Sequence, residues 1–270
     1  MKRIFITTAI LFSTFILNAQ EPELCNCPQQ SKIAKGTLYF SWGYNKDYFT
    51  KSDLHFKDAG AGNYDFTLYD VKAKDRPGFR DIFRTTLAVP QYVYRLGYYF
   101  NNKKDLGIEI NFDHAKYVMV NNQMLHVKGN IHGVYHDKDT LVTPDFLRFE
   151  HTNGANFLMI NFLKRQRLLV SSNKKHWLSA VIKPGAGIVI PKTDVAIFGN
   201  NLDNKFHIAG YIAGLEAGLR YDLFKYAFVE FTGKGSFANY TDVLVIGTGK
   251  AHHYFFAGQV ILTAGFQFSL

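Results

Sequence analysis

Residues 250–270 read KAHHYFFAGQVILTAGFQFSL. Tyr254, Phe256, Val260, Leu262, Ala264, Phe266 and Phe268 fall on one parity, and Gln259, Thr263 and Gln267 fall on the other. Successive side chains of an extended chain point to opposite faces, so this stretch is a strand with one apolar and one polar face. It is too long for an ordinary strand, and it ends the chain on aromatic residues.

The same alternation recurs upstream. In residues 37–45, Leu38, Phe40, Trp42 and Tyr44 share one face while Ser41 and Gly43 share the other. Further extended stretches read at 92–100, 106–117, 155–169, 177–190, 206–222 and 226–240, which with the first and last make eight. Short polar turns at 101–105, 171–175 and 223–225 alternate with longer connections at 46–90, 118–154, 191–205 and 241–250.

The closing stretch resembles the last strand of bacterial outer-membrane β-barrels. The final strand of that family carries an aromatic-rich assembly signal and usually ends in Phe, where this chain has Leu270. The resemblance implies an all-β fold, an eight-stranded antiparallel transmembrane β-barrel with long first and second extracellular loops, in the outer membrane of a Gram-negative bacterium. Strands of such a barrel alternate in direction and its periplasmic turns are short. The three short turns therefore belong to the periplasmic side, and 46–90 must be a single outer loop. Its strand-like part at 64–71 is expected to form a hairpin above the membrane.

The chain opens with Met1-Lys2-Arg3, an apolar run from Ile4 to Leu17, and then Asn18-Ala19, the order of a secretory signal peptide cleaved after Ala19. The apolar run falls short of the roughly 20 residues a spanning helix needs. The expected organisation is a signal peptide at 1–19, a periplasmic lead-in at 20–35 and the barrel at 36–270. Cys25 and Cys27 lie in the lead-in, with no His or Cys cluster nearby to complete a metal-ligand set. The formal charge of +9 becomes +7 once Lys2 and Arg3 are removed. For an exported chain the available anions are lipid phosphates and not nucleic acid. The expected partners are outer-membrane lipid and lipopolysaccharide, and another envelope protein met through the extracellular loops.

Opposite the aliphatic faces stand Arg95, Glu109, Asn111, Asp113, Asn161, Arg165, Lys183, Glu216, Arg220, Glu230, Lys234 and Gln259, which should point into the barrel. An interior of that size is just wide enough to be filled by side chains, so the mixed charges predict internal ion pairs in preference to an open channel. Gly210, Gly214 and Gly218 share the inward parity and should leave room for long charged neighbours. Lys103, Lys104, Lys164, Arg165, Arg167, Lys174, Lys175 and Lys225 gather at the expected periplasmic rim, where they can meet lipid phosphates.

No phosphate loop, zinc-binding His motif or Gly-x-Ser-x-Gly elbow appears, and no cofactor is implied. His126, His132, His136, His252 and His253 match no tight metal-ligand spacing. One constellation carries chemistry: Asp113-His114 near the top of one strand and Glu150-His151-Thr152-Asn153-Gly154 at the top of the next. A histidine beside a carboxylate and a hydroxyl is material for activating a nucleophile. The second segment distantly resembles the His-x-Ser-Asn stretch of lipid A deacylases, over about five residues. Here Thr152 stands in place of Ser, His151 is adjacent to it, and Asn161 below supplies no acid. The leading reading is a binding, adhesive or envelope-complex barrel. The alternatives are an outer-leaflet acyl hydrolase using His114, Glu150, His151 and Thr152, and a narrow pore.

Overall fold

The computed structural model describes residues 36–78, 91–100 and 105–270. The signal-like segment, the lead-in with Cys25 and Cys27, and the rim residues Lys103 and Lys104 lie outside the described residues. Every regular element among the described residues is a strand. In chain order these are β1 (Thr37–Phe49), β2 (Ser52–Asp58), β3 (Tyr64–Val71), β4 (Ala73–Asp75), β5 (Tyr92–Tyr99) and β6 (Leu106–His114). Then come β7 (Tyr117–Met119), β8 (Gln123–Ile131), β9 (Val134–Val142), β10 (Leu147–His151), β11 (Phe157–Val170) and β12 (His176–Val189). The last are β13 (Asp194–Ile197), β14 (Asn200–Asp203), β15 (Gly210–Leu223), β16 (Ala227–Leu244) and β17 (Lys250–Ser269).

The hydrogen-bonded order runs β1-β5-β6-β11-β12-β15-β16-β17, and β17 pairs back onto β1 from Thr37↔Ser269 to Phe49↔Ala257. All of these pairings are antiparallel. The ladder returns to its first strand, so these strands expose no free edge along the shared length. Their outward face is apolar. Trp42, Tyr94, Tyr211, Phe256 and Phe266 are exposed there, with Tyr44 and Tyr98 half-buried among them. The inward face is polar, so the usual arrangement of a water-soluble protein is reversed.

Several strands outrun this ring. Lys250, Ala251 and His252 of β17 pair with Lys57, Phe56 and His55 of β2, and the sheet continues through β3 and β8 to β9. A second sheet, ordered β14-β13-β10-β7-β4, lies across from it. Between them Leu54, Phe56, Phe66 and Val127 share one buried core with Tyr117, Phe149, Val195 and Ile197, and Phe56 meets Phe149 edge to face at 5.5 Å. That core also takes in Phe157, Val189, Tyr240 and Phe255 of the ring, so this cap sits directly over one end of it.

The long connections expected between ring strands form this cap. Residues 46–78, 118–154 and 191–205 carry most of the short strands; β2, β3, β8, β10 and β13 turn buried apolar residues against the other sheet, whereas β9 and β14 stay largely exposed. The strand-like stretch expected at 64–71 is β3, which pairs with β2 and β8 and with none of the ring strands. The reading of one extended stretch from residue 155 onward needs correction at its start. Gly154 (φ +123) and Asn156 (φ +37) take left-handed backbone and separate β10 from β11, which join different sheets.

Candidate functional site

All twelve residues expected inside the ring are buried there. Arg95 binds Asp113 and reaches Glu216 at 3.2 Å. Lys183 binds Glu230, and it contacts Glu109 at 3.2 Å and Glu216 at 3.5 Å. Lys234 reaches Asp113 at 2.7 Å, and the Tyr39 hydroxyl donates to Glu109 at 2.5 Å. Nearer the opposite end, Arg220 pairs with Asp222 at 3.1 Å, and its guanidinium lies 3.4 Å from the centre of the Phe228 ring. Shared ion pairs of this kind are how charges tolerate burial, since each desolvated ion needs partners on several sides.

Five buried cations, Arg95, Arg165, Lys183, Arg220 and Lys234, stand with six buried carboxylates, Asp47, Glu109, Asp113, Glu216, Asp222 and Glu230. Asp47 lies just past the first alternating stretch read from sequence, and extending that parity by two residues would have found it. Its oxygens accept from Asn45 Nδ2 at 3.2 Å, Gln91 Nε2 at 3.3 Å and Gln259 Nε2 at 2.8 Å. Its own N–H donates to Asp75 Oδ2 at 2.9 Å.

The glycines act differently from expectation. A Cβ at Gly218 would strike the Phe231 carbonyl of the neighbouring strand, so that glycine serves close backbone approach and not space for a charge. A glycine that does make room for a long side chain is Gly97, where a Cβ would collide with the Tyr39 ring.

The structure does not bring His114, Glu150, His151 and Thr152 together. His114 meets Asn156 Oδ1 at 2.9 Å through Nδ1 and stacks on Tyr92. Adjacent strand residues point to opposite faces, so Glu150 turns away from His151 and pairs with Arg76 at 3.1 Å and Arg148 at 3.4 Å. His151 points into the apolar core. Its Nδ1 lies 3.0 Å from Thr193 Oγ1 and its Nε2 lies 3.3 Å from His253 Nε2, between Tyr117, Phe149 and Tyr240. Thr152 is half-buried in the turn that follows. The hydroxyl beside the histidine is therefore that of Thr193, and the second imidazole comes from β17; neither pairing has a signature in local sequence. Burial pushes the His151 imidazole down to about 3, so it is neutral in the fold.

The cap's outward surface is mixed. The β8–β9 register sets Met124 opposite Leu141, His126 opposite Asp139, Lys128 opposite Asp137 and Asn130 opposite Tyr135. His126 is held between Asp137 at 2.9 Å and Asp139 at 3.0 Å. Among the described residues no three or more His, Cys, Asp or Glu side chains gather as a metal site. At the other end of the ring Arg167, Lys174, Lys175 and Lys225 are exposed beside Leu169, Val170, Phe224 and Tyr226. Arg165, expected in that rim, instead turns inward to Asp105 at 3.0 Å and covers the Tyr99 ring.

No protein-family model matches the chain, and no curated protein matches it. Among solved structures it is similar to the outer membrane protein OprG from Pseudomonas aeruginosa, at 12% identity and a TM-score of 0.40, covering 88% of this chain and 100% of that one. It is similar to Neisserial surface protein A at 10% identity and a TM-score of 0.35, covering 86% of this chain and 99% of that one. It is also similar to Ail, the attachment invasion locus protein of Yersinia pestis, in complex with the heparin analogue sucrose octasulfate, at 12% identity and a TM-score of 0.34, covering 87% and 99%. Similarity at this level assigns neither a family nor an activity to this chain.

Proposed function

We propose that the chain is an eight-stranded outer-membrane β-barrel, plugged on its extracellular side by a β cap, that serves as a binding component of the cell surface. The apolar outer band supports the membrane reading: in water, a contiguous girdle including Trp42, Leu96, Ile110, Phe162, Phe231, Leu262 and Phe266 would far exceed the few hundred Å² a soluble monomer leaves exposed. Strand length supports it too, because roughly 9–11 residues cross a bilayer as a strand, and β17 has 20, enough to span and to continue into the cap.

The observation that carries a binding role is β9. It is the last strand of its sheet, and nearly all its residues on both faces, from Val134 to Leu141, are exposed or half-exposed. A strand projecting beyond its core with one free edge and two open faces adds little to cap stability, while presenting backbone donors and acceptors to a partner. Tyr135, Leu141 and Met124 supply apolar contacts, and Lys128, Asp137, Lys138 and Asp139 supply charge. An envelope protein or the sugar of lipopolysaccharide suits that mixture.

A pore reading gains no support from a lumen filled by paired side chains beneath an aromatic plug. The acyl-hydrolase reading gains no support, because His151 is sealed in the core against Thr193 and His253 while Glu150 turns away to Arg76 and Arg148 and Thr152 lies in the turn that follows. The test is a photo-cross-linking residue placed in intact cells at Tyr135, with Tyr254 on the outer face as control. A discrete adduct at Tyr135 that disappears with Leu141→Lys and Met124→Lys supports the reading. Adducts at Tyr135 no different from those at Tyr254 would sink it.

A further inference from the structure

We propose that the outer end of the lumen binds a hard divalent cation of the calcium class, through the Asp47 carboxylate and the side-chain oxygens of Asn45, Gln259 and Asp75. Of the six lumen carboxylates, Asp47 alone has no Lys, Arg or His within ion-pair distance among the described residues. The two lysines of its neighbourhood are committed elsewhere, Lys46 to Asp75 at 3.3 Å and Lys234 to Asp113 at 2.7 Å. A second carboxylate, Asp75, adjoins it, with its Oδ2 shared between the Asp47 N–H and Lys46.

Around this anion stand acceptors with nothing to accept. Asn45 Oδ1, Gln259 Oε1 and Asp75 Oδ1 have no hydrogen-bond partner among the described residues, and Asn45 and Gln259 are only 1% and 2% exposed. Both amides already touch the Asp47 carboxylate through their nitrogens. A half-turn about the terminal C–C bond replaces each nitrogen by an oxygen, and which atom faces the carboxylate is decided by what the network must bind. Water could satisfy the orphan oxygens but would leave the buried charge uncompensated. A hard cation does both, and calcium takes carboxylate and amide oxygens in flexible sets of 6–8, with water completing the shell.

The position has a consequence for the fold. Asp47 belongs to β1 of the ring and Asp75 to β4 of the cap, and Gln91 between them also accepts from the Lys116 N–H at 3.1 Å. A cation held by both carboxylates would staple cap to barrel.

The experiment uses the full chain folded in detergent, stripped with EDTA, and titrated with CaCl2 by calorimetry and with Tb³⁺ by aromatic-sensitised luminescence. The expected result is one saturable site and a higher cap unfolding temperature in calcium. Asp47→Asn should weaken binding at least roughly tenfold, the loss typical of disturbing even an outer-shell ligand. Should Asp47→Asn fail to fold, Asp75→Asn is read in the same titration. No saturable calcium or terbium binding to the stripped wild type, or undiminished binding in the folded variant, overturns the proposal. So does a stripped protein that gains the same stability from mild acid without taking up a cation, because the site would then hold a proton.

Discussion

His151 and His253, from strands of different sheets, face each other with their Nε2 atoms 3.3 Å apart inside the aromatic core that joins cap to ring. Their tautomers follow from the remaining nitrogens. His253 Nδ1 has no partner among the described residues, whereas His151 Nδ1 meets Thr193 Oγ1 at 3.0 Å. A buried orphan N–H is rarer than an under-used acceptor, so His253 Nε2–H donates to His151 Nε2, and His151 Nδ1–H donates to Thr193.

Both imidazoles must stay neutral for this arrangement, which makes the cap acid-sensitive. The groups facing the pair are Tyr117, Tyr240, Thr193 and the rings of Phe149 and Phe255, with His252 alongside, and no carboxylate is in hydrogen-bond contact with it among the described residues. His151 is held at about 3, below its ordinary value near 6.5. Between these values the unfolded chain binds more protons than the fold, so stability is full above about 6.5 and declines toward 3, by up to roughly 1.4 kcal/mol per pH unit for each such histidine. Hydrogen exchange of the cap at pH 8, 6 and 5 should show progressive loss of protection. The double variant His151→Phe, His253→Phe should flatten that dependence; an unchanged profile would place the sensitivity elsewhere.

Glu216 accepts from Thr232 at 2.9 Å and neutralises Arg95 and Lys183. Glu216→Leu strands two buried cations with fewer partners, which typically costs about 3–5 kcal/mol. The folded band on an unboiled gel should therefore convert to the unfolded one at lower temperature. An unaltered conversion temperature would show that the remaining carboxylates suffice.

Phe149 packs against Phe56, His151 and His253 at the centre of the cap. Phe149→Ala should destabilise the cap by about 3–5 kcal/mol while leaving the ring's ladder intact. Limited proteolysis should then cut within the cap strands of a chain that still runs as a folded barrel; loss of the folded band itself would mean that cap and ring form one cooperative unit.

Leu262 lies on the outward face of β17, opposite Tyr44 of β1. Leu262→Arg should lower folding into lipid vesicles by about 2–4 kcal/mol if it sits near the bilayer midplane. Wild-type folding yields in bilayers across a urea series would argue that this face meets water.

The alternation of residues 250–270 and its echoes upstream determined the two-faced ring strands and the polar lumen, because period-2 patterning is local and each strand sees a different medium on each side. Thus Glu109, Lys183 and Glu216 could be placed inside, and Trp42 and Phe266 outside, before any contact was known. Tertiary structure alone decided which partners those residues meet. Alternation is the same for a strand in the ring and a strand in the cap, so it could not say that β3 pairs with β2 and β8, or that the left-handed Gly154 and Asn156 divert the chain between sheets. The contacts that define the sites join residues far apart in the chain, His151 to His253 across 102 positions and Asp47 to Gln259 across 212. Register and sheet order bring them together, and those are set by the closure of the ladder and the packing of one apolar core, not by any neighbour in sequence.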